Sequence, residues 1–85
     1  MENQVNVHTV DLSAKEFNDV VNFGFIIIEN REYETGDYVL FRQCEKSNDG
    51  EITNYTGQNQ MFSIKSINSG NAGLKEDYVI LMLGK

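Results

Sequence analysis

The stretch VDLSAKEFNDVVNFGFIIIEN, residues 10–30, decides the fold class because its hydrophobic period changes within it. Over Asp11–Asn22 the spacing is helical. Phe17, Val20 and Val21 fall at i, i+3 and i+4 and make one apolar stripe. Ser13 is a suitable N-cap, and Glu16 three residues on completes a capping box with it. Leu12 before the cap and Phe17 at the fourth helical position fit a hydrophobic staple. Asn22 and Gly24 both tolerate a left-handed backbone and mark the helix end. From Phe25 to Asn30 the period is lost in a β-branched run, Ile26–Ile28, as in a strand buried on both faces.

Working outward, Gln4–Val10 alternates, with Val5 and Val7 on one side and Asn6 and His8 on the other, and reads as a first strand. Glu34-Thr35-Gly36-Asp37 is a turn. Asp37–Glu45 is the next strand, with Val39, Phe41 and Gln43 on one face and Tyr38, Leu40 and Arg42 on the other. Ser47–Gly50 carries the Asp-Gly hairpin signal. Glu51–Thr56 is a weak strand, Gln60–Ile67 a stronger one, and Tyr78–Leu83 is nearly continuous in apolar residues, as a central strand is. Asn68–Gly73, rich in Gly and Asn, reads as a mobile loop. The expected architecture is one α+β domain over residues 1–85. A single N-terminal helix plugs a small curved sheet or β-barrel of about five to six strands.

Composition narrows the function. The 85 residues include 13 acidic and 7 basic side chains, for a net charge of −6. That balance argues against electrostatic binding to duplex DNA or to an anionic membrane. One cysteine, Cys44, excludes an internal disulfide and reads as a packed small hydrophobe. Cys44 and His8 alone do not make a four-ligand zinc site, and no metal or cofactor is expected. The N-terminus carries no basic region followed by an apolar run, and no apolar stretch is long enough to span a bilayer. A soluble protein of a reducing cytoplasm is expected.

The segment Gly24-Phe25-Ile26-Ile27-Ile28-Glu29-Asn30-Arg31 resembles the ASCH-domain signature G-x-K-x-x-E-x-R. Gly24, Glu29 and Arg31 match, and Ile26 stands at the lysine position. Tyr33–Leu40 looks like the turn and strand that follow the signature, with its Gly-Asp pair. Tyr55-Thr56-Gly57 and Gly73–Leu81 are similar to late segments of a small bacterial and phage subgroup of unknown function. His8 before a strand-to-helix step fits the same subgroup. The resemblance implies a PUA-like β-barrel and recognition of RNA or of a modified nucleoside. It also brings in small relatives that hydrolyse acetylcytidine with a lysine, a threonine and a glutamate. Here only the glutamate, Glu29, carries over. An amide hydrolase needs a base and a group to hold the oxyanion, and an isoleucine side chain supplies neither. The reading therefore leans to a non-catalytic protein.

On a flat strand Phe25, Ile27, Glu29 and Arg31 share a face. A guanidinium and a carboxylate on one face suit a base edge, as forked donor and as acceptor; an exposed ion pair is the plainer alternative. Gly24 is a candidate hinge. Phe23, Phe25, Tyr33, Tyr38 and Tyr55 are candidates for stacking on bases, with Tyr33 and Tyr55 expected to be the exposed ones because their neighbours are polar. Lys65 is a strand cation elsewhere in the chain. The expected ligand-binding set is Gly24, Glu29, Arg31, Tyr33 and Lys65. A second expectation is an acidic surface, Glu32, Glu34 and Asp37, that docks a basic protein as an adaptor or a phage-type inhibitor would. A residual nucleoside amidohydrolase using Glu29 is a third. The chain is expected to be a monomer or a weak dimer.

Overall fold

A computed structural model describes residues 5–69 and 77–84. The elements are β1 (Val7–Leu12), α1 (Ala14–Phe23), β2 (Phe25–Glu29), β3 (Tyr38–Lys46), β4 (Ile52–Ser69) and β5 (Tyr78–Gly84). The five strands form one mixed sheet in the order β1-β3-β4-β5-β2. β1 and β3 are parallel, and the other pairs are antiparallel. The class is therefore α+β with one helix. The sheet is open: β1 and β2 are its two edges and do not pair with each other. The expected loop Asn68–Gly73 begins inside β4, and its remainder, like Gly73–Glu76, lies outside the described residues.

The helix is built as its capping box requires. Ser13 Oγ accepts from the Glu16 amide at 3.3 Å, and Glu16 Oε1 accepts from the Ser13 amide at 3.1 Å. The helix ends at Gly24, which sits at φ 74°, and its amide donates to the Val20 carbonyl at 2.9 Å. α1 packs on β3 and β1. Its buried residues, Phe17 and Val20, meet Val10, Leu12, Val39, Phe41, Phe62, Ile64, Val79 and Leu81 in a single core. Each large side chain buried there contributes about 1.5–3 kcal/mol.

Three strand expectations change in detail. The strand Phe25–Glu29 is not buried on both faces: it is an edge of the sheet, and Phe25 and Ile27 are exposed. The first strand runs two residues further, to Leu12, and its inward positions are Val10 and Leu12, while Val5 and Val7 are exposed. The side of β1 carrying His8, not that of the early valines, faces the core. The two segments Glu51–Thr56 and Gln60–Ile67 are one long strand. Gly57, at φ 90°, and a register shift between Arg42 and Cys44 let β3 and β4 continue past Gly57-Gln58-Asn59. Cys44 is buried, with a free thiol.

Asp37 fastens the lower end of the sheet. It is only 4% exposed. Its Oδ2 accepts from His8 Nε2 at 2.9 Å and from the Glu34 amide at 3.2 Å, and its Oδ1 accepts from the Asn6 amide at 3.3 Å. Its backbone carbonyl accepts from Ile64 at 2.8 Å, and the Ile64 carbonyl accepts from Gly36 at 2.9 Å. One residue thus ties β1, the turn, β3 and β4 together. The His8 hydrogen bond, helped by the two backbone donors, outweighs burial and holds the Asp37 carboxyl below the usual carboxylate range.

Two outcomes are expected. Asp37→Ala strands His8 and two amides and lowers stability by about 1–3 kcal/mol in urea unfolding. Because the folded Asp37 titrates below its unfolded value, its stabilisation is complete above about pH 4 and is lost as pH falls further. The acid limb of the stability profile is therefore shallower in Asp37→Asn than in the wild type. Separately, Gly24→Ala forces a Cβ into a left-handed backbone and costs about 1–2 kcal/mol by the same unfolding measurement.

Candidate functional site

The capped helix and the strand that follows it frame a cavity of about 350 Å³. Gly24 makes this possible, because its left-handed turn sends the chain back beside the helix it has just left. One wall is the helix face Glu16, Asp19, Val20 and Phe23; the other is Phe25, Ile26 and Ile27 of β2. The helix residues fall at i, i+3, i+4 and i+7, a stripe beside the core stripe. Phe23 and Phe25 form a tilted aromatic pair, with ring centroids 6.4 Å apart, and both are well exposed.

The polar rim consists of two carboxylates already held in place. Glu16 Oε1 accepts from the Ser13 amide and from Ser13 Oγ, and Lys46 Nζ lies 3.9 Å away. Asp19 Oδ2 accepts from Lys15 Nζ at 3.0 Å. The cavity thus combines apolar and aromatic walls with acceptors at its rim. Ile26, where the ASCH resemblance expects lysine, is part of the wall.

The structure disperses the ligand set expected from sequence. Gly24 joins the two walls. Glu29 is exposed at the end of β2, two residues past Ile27. Arg31 leaves in another direction: its Nη1 donates to the Thr9 carbonyl on the free edge of β1 at 3.0 Å. Lys65 stands at the β4 irregularity between Ile64 and Ser66, and its aliphatic stem lies over Gly84. Neither Arg31 nor Lys65 lines the cavity.

Tyr33 is corrected most sharply. It is 6% exposed rather than open to solvent. Its flanking glutamates point outward while its ring packs on that of His8, 4.7 Å between centroids. Burial raises the Tyr33 hydroxyl above its ordinary pKa, and the hydroxyl has no hydrogen-bond partner among the described residues. Asp37, expected on an acidic docking surface, is buried by its bonds to His8 and the backbone; Glu32 and Glu34 remain exposed.

Tyr55 is exposed as expected, at 45%, but it is engaged. Its hydroxyl donates to Asp11 Oδ2 at 3.0 Å, and Arg42 lies over its ring, 4.6 Å from the centroid. Arg42 also grips Asp11 through Nε at 2.8 Å and Nη2 at 3.3 Å. Burial pushes the Asp11 carboxyl up, but the Arg42 and Tyr55 hydrogen bonds together bring it below its ordinary value. Arg42 is therefore spent within the fold.

The cavity residues Glu16, Asp19 and Val20 were absent from the sequence-based site. The signal that finds them is the second helical stripe, read against a strand that turns back at Gly24. Among the described residues no group of three or more His, Cys, Asp or Glu side chains could hold a metal ion, and no helix is long and apolar enough to cross a membrane. No curated protein matches the chain. A family profile matches residues 7–83, which takes in every element from β1 to the end of the apolar run of β5, and the chain belongs to that family, described as a domain of unknown function, DUF3850.

Proposed function

We propose that this protein is a non-catalytic recognition domain whose cavity between α1 and β2 takes an uncharged, nucleoside-like ligand. The observation that carries the reading is the Phe23–Phe25 pair beside the carboxylates of Glu16 and Asp19. Aromatic faces stack on a planar base, and carboxylates accept from ribose hydroxyls or an exocyclic amine. The volume falls at the lower end of small-molecule sites. The same carboxylates repel phosphate, and Arg42 is already paired, so the reading favours a nucleoside over a phosphate-bearing RNA strand. With Ile26 in the wall, no acid, base or oxyanion donor is supplied at the lysine position. On this reading the open sheet is a PUA-like barrel left unsealed between β1 and β2, as the ASCH resemblance suggests, working in a reducing cytoplasm.

A second reading rests on the exposed carboxylates of Glu29, Glu32 and Glu34 at the lower end of β2. With a net charge of −6 they suit a basic protein surface. Asp37 is not part of it.

Amide-resolved NMR titration separates these readings. Cytidine and acetylcytidine are expected to shift the amides of residues 16–27, and cytidine monophosphate to bind more weakly. Phe25→Ala removes one stacking face and weakens nucleoside binding about tenfold, within the range for a single base–aromatic contact. Glu16→Gln with Asp19→Asn narrows the gap between nucleoside and monophosphate. No shift at millimolar nucleoside would sink the ligand reading and leave the acidic surface.

A further inference from the structure

We infer that β2 pairs with β2 of a second copy of this chain, antiparallel about a two-fold axis through Ile27. The argument begins with backbone parity. Asn30 donates to the Asp77 carbonyl and Leu83 donates to the Gly24 carbonyl, so the even-numbered residues of this strand turn their backbone groups toward β5. Phe25, Ile27 and Glu29 therefore turn theirs to the free edge, where no described strand lies.

An axis through Ile27 uses all of these groups. Ile27 faces its own copy, and Phe25 faces Glu29 of the copy; each such pair exchanges two hydrogen bonds. Glu29 never faces Glu29, so the register avoids like-charge contact.

β2 has no proline, lysine or bulge, Glu29 is its one charged residue, and exposed Phe25 and Ile27 lie on it. The edge of β1, by contrast, is covered at Thr9 by Arg31. A five-residue strand makes a small interface, under about 1,200 Å², so the dimer is weak and concentration-dependent.

The test uses the ligand-free protein, so its outcome is separate from that of the nucleoside reading, although both involve Phe25 and Ile27. Sedimentation equilibrium from about 5 μM to about 1 mM is expected to show the mass doubling, as for other small interfaces. Over the same range amide exchange is expected to slow about tenfold at Phe25, Ile27 and Glu29, and not at Ile26 and Ile28. Ile27→Lys sets two cations face to face on the axis and keeps the protein monomeric, while Ile52→Lys on the far hairpin leaves the doubling unchanged. A monomer mass throughout, slowing without the odd–even pattern, or an Ile27→Lys protein that still dimerises would overturn the proposal. Should Ile27→Lys not fold, the exchange pattern of the wild type decides.

Discussion

The buried carboxylate of Asp37 is the constraint on which the lower half of the molecule depends. An ionised group out of water is tolerable only when its oxygens are satisfied, and here the partners come from two separate places in the chain: Asn6 and His8 at the start of β1, and Glu34 in the turn. Satisfying it brings β1 alongside β3, and the backbone bonds to Ile64 add β4. The position of His8 then gives Tyr33 a ring to pack on. The loop from Arg31 to Asp37 is held between these contacts, which is why a segment rich in glutamate buries a tyrosine at its centre.

The upper half is organised by a different principle. The α1 capping box and the Gly24 turn are local, and they set the helix beside β2 without any charged group in the core. The core stripe of α1 lies on β1 and β3, while the next stripe, with Glu16, Asp19 and Phe23, faces the cavity. The helix thus serves two surfaces at once. Its length of 10 residues is enough to do so because two adjacent stripes fit on the half-circumference turned toward the sheet.

What could be read from sequence follows the same division. Ser13 with Glu16, the apolar positions of α1, the turn at Ser47–Gly50 and the alternation of Val39 and Phe41 all depend on near neighbours, and each is where the pattern places it. Tyr33 and Asp37 were misplaced because nothing within a few residues of them announces His8, which is 29 positions from Asp37. Gly57-Gln58-Asn59 looks like a loop but lies within β4, since the extra residues there bulge out between the Arg42–Asn59 and Cys44–Tyr55 pairs and the ladder resumes beyond them. Closure of the sheet is likewise a long-range matter: it turns on whether β1 meets β2, and local alternation carries no information about that. The cavity was half legible, in the aromatic pair at Phe23 and Phe25, and its acidic wall was hidden in the helix's second stripe.

The strand order carries a consequence for synthesis. β1 and β2 come first in the chain, yet each waits for a later neighbour: β1 for β3, and β2 for β5, the last of the described strands. On a ribosome the N-terminal helix and both outer strands emerge before anything they can lie against. The β3–β4 hairpin, whose pairing is local, is the first part of the sheet able to form. Until β5 is released, the run Phe25–Ile28 stays uncovered on both flanks. The sheet is therefore completed only once β5 has emerged, and the run Phe25–Ile28 is the one that waits longest for its neighbour.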